Sequence, residues 1–228
     1  MRIKNQVKIF PLGENALTIE LGNEISEKLN RRIIRLADYF EQNKFEGFIE
    51  TVPAYASLTI FYDVFKVRKN SPTFPNAFDA VKNFAEKGLR NLEEISENEA
   101  RLIEIPVSFD AECALDLEFV AESNNLKTRE VIEIFTAKTY RVYMLGFLPG
   151  FAYMGEIDER IAAPRKSSPR LKTPKGSVGI AGRQTGIYSL ESPGGWQIIG
   201  KTETQLFTPE DKSPTFLQAG DLVKFYEN

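Results

Sequence analysis

Between Arg160 and Leu190 the chain carries seven basic residues, Arg160, Arg165, Lys166, Arg170, Lys172, Lys175 and Arg183, and no acidic one. The rest of the 228-residue sequence is acidic, with 22 Lys and Arg against 32 Asp and Glu. A basic segment in an acidic protein suggests a local anion site. A solvated charged loop is the plainer alternative. The same region holds ten of the fifteen glycines, between Gly146 and Gly200. Glycine is needed where φ is positive or where backbone must approach something closely. Gly176, Ser177 and Gly179 are therefore candidate backbone donors to an anion, beside the cations Arg165, Arg170, Lys172 and Lys175. The turns of a small β-barrel account for the glycine equally well.

Histidine is absent and cysteine occurs once, as Cys113. This excludes Ser-His-Asp and Cys-His triads, His-based metal sites and an internal disulfide framework, and no protein metal site is expected. Acid–base work falls to Asp, Glu, Lys or Tyr. Thr173-Pro174-Lys175-Gly176-Ser177 lacks the spacing of a P-loop, and no GxGxxG follows a strand. A net charge of −3 argues against nucleic acid or an anionic membrane as partner. With no apolar run near 18 residues and no signal-peptide core after Met1, the expected location is the cytoplasm.

A second group lies at Gly146 to Gly155, where Phe147, Pro149, Gly150, Phe151 and Tyr153 are packed together. They suit the walls of a concave pocket or a core-packing loop. Trp196, the only Trp, follows Ser192-Pro193-Gly194-Gly195. That run reads as a tight turn, with Gly194 and Gly195 letting the chain reverse and present Trp196. The indole is either a groove wall or a core residue with its N–H satisfied. Gln184, Thr185 and Ser192 are candidates for orienting a small polar substrate.

The elements that must carry these residues read as follows. Val7 to Leu21 is a hairpin around Gly13-Glu14-Asn15. Asn23 caps a helix from near Glu24, with Ile25, Leu29, Ile33, Leu36, Ala37 and Phe40 on one face. Phe48–Val52 and Ser57–Tyr62 are strands, and Pro75 to Asn91 is a second amphipathic helix. This gives a two-layer α+β plan over residues 1–95. The acidic stretch Asn91 to Arg101 is either a linker or the end of that helix running into a strand. Leu102–Phe109 and Tyr140–Leu145 are strands. Asp116–Ala121 and Arg129–Ala137 are short helices, the second with Thr128 as N-cap. After Gly146 short β-prone runs alternate with turns: Val178–Ile180, Gly186–Leu190, Trp196–Ile199, Gln205–Phe207 and Asp221–Tyr226. That spacing suits a small barrel or sandwich over residues 96–228.

YRVYMLGFLPGFAYMG (140–155), APRKSSPRLKTPKGSVGIAGRQTGIYSLESPGGWQIIGKT (163–202) and LQAGDLVKF (217–225) together resemble the B-subunit family of bacterial 5-oxoprolinase. It is also described as a sporulation-kinase inhibitor family or as allophanate hydrolase subunit 1. The resemblance is dense from Tyr140 to Lys201 and looser elsewhere. It implies an α+β N-terminal domain followed by a cyclophilin-like β-barrel. It implies a protein that pairs with a homologous C subunit and, with an A subunit, opens 5-oxoproline to glutamate at the cost of ATP, with Mg at the assembled complex. Phosphorylating the lactam oxygen makes its carbon electrophilic, and such chemistry needs cations more than a histidine base. On that reading Arg165, Arg170, Lys172 and Lys175 contact the anion, and Phe147, Phe151, Tyr153 and Trp196 are walls of a site shared with the C subunit. The family also implies two alternatives: an inhibitor of a sensor histidine kinase and a carboxyltransferase component. Two departures stand out. The family's Gly-Gly-Glu run is replaced by Phe109 to Leu117, and Phe135 stands where members carry His.

Overall fold

The computed structural model describes residues 7–92 and 100–228. The backbone packs into two compact units, Met1–Glu99 and Ala100–Asn228. The acidic stretch expected as a linker lies for the most part outside the described residues.

The first unit opens with the expected hairpin, β1 (Lys8–Pro11) and β2 (Ala16–Glu20), turned by Gly13 at φ +69. Helix α1 (Glu27–Gln42) follows, then β3 (Phe48–Pro53), β4 (Ser57–Tyr62), α2 (Val64–Asn70) and α3 (Ala77–Asn91). The sheet is antiparallel in the order β1-β2-β4-β3. Strand period places Leu58, Ile60 and Tyr62 of β4 on the buried face. Ile33, Leu36 and Phe40 of α1 and Ala80, Val81 and Ala85 of α3 pack into the same core. Helix α1 starts three residues later than Asn23 suggests, with Ser26 at the N-cap position. Helix α3 is capped by Asn76, whose side chain accepts the Asp79 N–H at 2.8 Å. Helix α2 is not in the sequence reading. Asp63 caps it by accepting the Lys66 N–H at 3.0 Å, but only Val67 is buried, so it carries no apolar stripe.

The second unit contains β5 (Leu102–Val107), α4 (Leu117–Ser123), α5 (Thr128–Ala137), β6 (Thr139–Leu145), β7 (Ala152–Gly155), β8 (Arg170–Thr173), β9 (Ser177–Ala181), β10 (Gln184–Ile187), β11 (Ser192–Gly194), β12 (Gln197–Lys201) and β13 (Leu222–Glu227). Seven strands form one mixed sheet in the order β12-β9-β10-β7-β6-β13-β5, and β8 with β11 forms a separate ribbon. Only β13 and β5 pair in parallel. The two sheet edges meet where Ser108 N–H donates to Lys201 O at 2.8 Å and Lys201 N–H donates to Ser108 O at 2.9 Å. Gly200 permits that approach, because a Cβ there would stand 2.7 Å from Val107 Cγ1. The result is a nearly closed barrel with a few helices, consistent with a cyclophilin-like barrel. Gln205–Phe207 contributes only a single bridge, from Phe207 to Thr215.

Helix α5 begins at Thr128 rather than after it, and Lys127 N–H donates to the Glu130 carboxylate at 2.7 Å. Its Phe135 is fully buried, stacked on Phe225 at 5.0 Å and close to Tyr140 at 5.1 Å. At this departure from the family pattern the ring is a core residue. Among the described residues no helix is long and apolar enough to cross a membrane.

Candidate functional site

Phe151, the residue before β7, is the hub of an aromatic cluster on one side of the barrel. Its ring meets Phe147 at 5.5 Å, Tyr153 at 4.8 Å, Tyr188 at 5.3 Å and Trp196 at 5.5 Å, all edge to face. That geometry aligns ring edges with ring faces and adds attraction beyond area burial. Glycines make room for the rings. A Cβ on Gly186 of β10 would lie 2.9 Å from Phe151 Cζ, and one on Gly179 of β9 would lie 3.1 Å from Trp196 Cβ. A Cβ on Gly194 of β11 would clash with Tyr188 Oη and stand 2.7 Å from Thr173 Oγ1. The glycine richness therefore serves, at these three positions, close approach rather than turning.

This corrects the expectation for Gly194 and Gly195. Neither has a positive φ, and Gly194 lies in a strand. Trp196 is 6% exposed, so it is a core residue that also forms one wall. Phe147 has the opposite character. It is 59% exposed and sits at φ +68, a conformation costly for a side chain with a Cβ.

These aromatics bound a pocket of about 330 Å³. Its lining unites seven residues singled out from the sequence, Phe147, Phe151, Tyr153, Arg165, Gly194, Gly195 and Trp196, with Lys166, Pro169, Tyr188 and Pro193. The segment that brings Arg165 there is held at several points. Gln197 Nε2 donates to Pro164 O at 2.9 Å and Lys166 N–H donates to Gly195 O at 2.8 Å. Burial pushes the Tyr153 and Tyr188 hydroxyls above their ordinary pKa, with the Arg165 charge pulling back on both. The two phenols therefore stay protonated at neutral pH and offer donors near a cation.

Lys166 of the lining bonds to Asp116, which is 6% exposed. Its Oδ1 accepts from Arg170 Nη2 at 2.5 Å and Lys166 Nζ at 3.1 Å, and its Oδ2 accepts from Ile198 N–H at 2.7 Å. Burial alone raises the carboxyl pKa, but the bonds from Arg170, Ile198 and Lys166 together outweigh it and hold the group below the usual carboxylate range. Arg170 is thus an internal partner of Asp116, and its Nη1 is buried without a hydrogen-bond partner.

The remaining cations lie elsewhere. Lys172 pairs with Glu191 at 3.3 Å, Arg183 with Glu159 at 3.0 Å and Arg160 with Asp158 at 2.7 Å. Lys175 donates to Gln205 Oε1 at 2.5 Å. The candidate backbone donors are engaged too: Gly176 N–H donates to Tyr188 O at 2.7 Å and Ser177 N–H to Pro174 O at 3.2 Å. Gly179 is paired on both sides within the sheet. Thr185 Oγ1 donates to Gly179 O at 2.9 Å, and Ser192 Oγ to Pro193 O at 3.2 Å. Gln184 lies in β10, paired with Gly155 and Ala181. Pro149 O accepts from Ser189 Oγ at 2.6 Å, and Gly150, at φ +75, packs against Leu206 O. None of the candidates Pro149, Gly150, Lys172, Lys175, Gly176, Ser177, Gly179, Gln184, Thr185 and Ser192 lines the pocket.

The family described as carboxyltransferase domain, subdomain C and D, matches residues 7–217. A protein of Bacillus subtilis, named as the B subunit of 5-oxoprolinase, is 49% identical over 226 residues, covering 99% of this chain and 93% of its own. The crystal structure of a conserved uncharacterized protein, PH0987 from Pyrococcus horikoshii, is 44% identical with a TM-score of 0.55 over 97% of both chains. The crystal structure of TTHA0988 is 33% identical with a TM-score of 0.77 over 98% of this chain, which spans 40% of the length of that one. On the strength of similarity that runs through both units, the chain belongs to the family of 5-oxoprolinase B subunits.

Proposed function

We propose that this chain is the B subunit of a cytoplasmic, ATP-dependent 5-oxoprolinase, which opens 5-oxoproline to glutamate in a complex with the A and C subunits. The pocket beside Phe151 is the part of the composite site that this chain supplies. The observation that carries this reading is the union of flat aromatic walls with Arg165, a cation without a side-chain partner among the described residues. 5-Oxoproline is a small planar lactam bearing one carboxylate. A pocket at the small end of the range for ligand sites suits it, with Arg165 on the carboxylate and apolar rings on the lactam.

ATP with Mg does not fit the residues present here. Lys172 and Lys175 are engaged outside the pocket, and the Gly176 and Ser177 amides are bonded internally. The nucleotide is then bound by the other components of the complex. The test is glutamate release that depends on ATP and 5-oxoproline. Co-expressed A, B and C subunits are expected to turn over, and this chain alone is expected to be silent. Robust turnover by the isolated chain, or none by the assembled complex, overturns the proposal.

A further inference from the structure

Asp116 lies 50 and 54 residues before the two cations that converge on it. It stands at the N-cap position of α4, where an Asp side chain ordinarily accepts a helix N–H, yet it makes no such bond. Both oxygens bond to groups outside α4 instead. Oδ2 and the Asp116 N–H bind the N–H and C=O of Ile198, which ties the residue to β12 two positions after Trp196. Oδ1 holds Arg170 at the start of β8 and Lys166 in the segment that carries Arg165. One buried carboxylate thus joins β12, β8 and the 164–166 loop; the loop carries Arg165 and Lys166 into the pocket lining, and β8 and β12 directly follow the lining residues Pro169 and Trp196.

The charge balance is informative. Asp116 is a single negative charge facing two positive ones, and Arg165 adds a third with no carboxylate in ion-pair range among the described residues. The mouth therefore keeps a net positive charge, with Lys166 turned inward and Arg165 left for a ligand.

We infer that Asp116 is a positioning residue of the site: by anchoring Lys166 and Arg170 it fixes the 164–170 segment so that Arg165 faces the carboxylate of the substrate. This rests on the reading of the pocket as the 5-oxoproline site. Asp116→Asn keeps the shape and an acceptor for Ile198 but removes the charge that holds the two cations. A residue that merely stabilised the fold would lower the amount of active enzyme without changing affinity for one substrate. A positioning residue acts on the KM for 5-oxoproline and acts through Arg165.

The experiment is a double-mutant cycle in the co-expressed complex, with Asp116→Asn, Arg165→Ala and both together, read as kcat and KM for 5-oxoproline and for ATP. Each single change is expected to raise the KM for 5-oxoproline about tenfold or more, the loss of one charge-assisted contact. The kcat and the KM for ATP are expected to stay within about twofold. The double variant is expected to be no worse than Arg165→Ala, because coupled residues are not additive. An unchanged KM in Asp116→Asn, or a double variant whose loss is the product of the two singles, overturns the positioning role while leaving the pocket reading intact. An unchanged KM in Arg165→Ala overturns the pocket reading, and the positioning role with it. Should Asp116→Asn not fold, Lys166→Met takes its place in the same cycle, since it cuts the loop from Asp116 but leaves Arg170 and Ile198 bound. The same two outcomes then decide.

Discussion

Gly194 lies directly against the hydroxyl of Tyr188, so that a Cβ added to the glycine would collide with Tyr188 Oη and press on Thr173 Oγ1 at 2.7 Å. Tyr188 is buried and Thr173 is fully buried, so neither can swing aside. The next residue differs. A Cβ on Gly195 would find Pro169 Cγ at 3.6 Å, an ordinary contact. Gly194→Ala is therefore expected to cost about 1–3 kcal/mol by overpacking. Gly195→Ala should stay within about 0.5 kcal/mol of the parent, as unstrained surface changes do. Urea denaturation of the two variants checks this. Equal losses in both would mean that the pair serves a turn after all.

Trp196→Ala removes a buried ring that packs on Phe151 at 5.5 Å and Tyr153 at 5.8 Å. The expected cost is about 3–5 kcal/mol, the range for truncating a core aromatic. For a chain of this size that lowers the Tm by roughly 6–20 °C. Normal melting with lost activity would instead make the indole a solvent-facing wall with little part in the core.

The parts of the fold legible in the sequence are those whose signal is local. The spacing of Leu29, Ile33, Leu36 and Phe40 gives α1, and the alternation of Leu58, Ile60 and Tyr62 gives β4. Helix α2 escapes because Val67 is its only buried residue. The glycine-rich segment is visible as a composition, but the role of each glycine is set by strand pairing. Gly179 and Gly186 face each other across β9 and β10, and the rings against them, Trp196 and Phe151, come from the residues just before β12 and β7. Asp116 is illegible for the same reason. Its only local sign is an Asp opening an apolar helical run, which reads as the first residue of a short helix. The basic segment looks unpaired because two of its acidic partners, Glu159 and Glu191, stand just outside its ends.

Phe147 combines a strained backbone with a place in the pocket lining. Its φ of +68 favours glycine, and its ring is more than half exposed. Phe147→Gly is expected to leave stability unchanged or raise it by about 0.5–1 kcal/mol, since relief of a left-handed conformation offsets glycine's freedom in the unfolded chain. It should also raise the KM for 5-oxoproline through loss of a wall. A matched fall in Tm and activity would show that the ring is structural.

Acid should act on the second unit through Asp116. Its pKa is lowered in the folded state, so its contribution to stability is present above the unfolded value near 4 and is lost as pH falls through the folded one. Asp158 is also lowered, to about 2 by Arg160, but it is partly exposed, its partner is exposed, and the pair is screened. Asp116→Asn is thus expected to be less stable than the parent at pH 7 and to lose less between pH 5 and pH 2. Chemical denaturation at a series of pH values measures both. Parallel curves for the two proteins would assign the acid sensitivity to other carboxylates.

The seven cations of the basic segment are not equivalent. Lys172 and Lys175 are exposed and engaged with Glu191 and Gln205, away from the pocket, whereas Arg165 lines it. Exposed pairs contribute little, so Lys172→Ala and Lys175→Ala are expected to change kcat/KM for 5-oxoproline by less than about threefold. Arg165→Ala removes a charged hydrogen bond to a ligand carboxylate, with an expected loss of about 1.5–3 kcal/mol in kcat/KM. Sulfate competing at the same guanidinium should inhibit the parent complex against 5-oxoproline and lose that effect in Arg165→Ala. Steady-state kinetics at fixed ionic strength separates this from general screening. If Lys175→Ala proves as damaging as Arg165→Ala, the anion is held on the outer face of the segment and the pocket beside Phe151 is not where the substrate carboxylate lies.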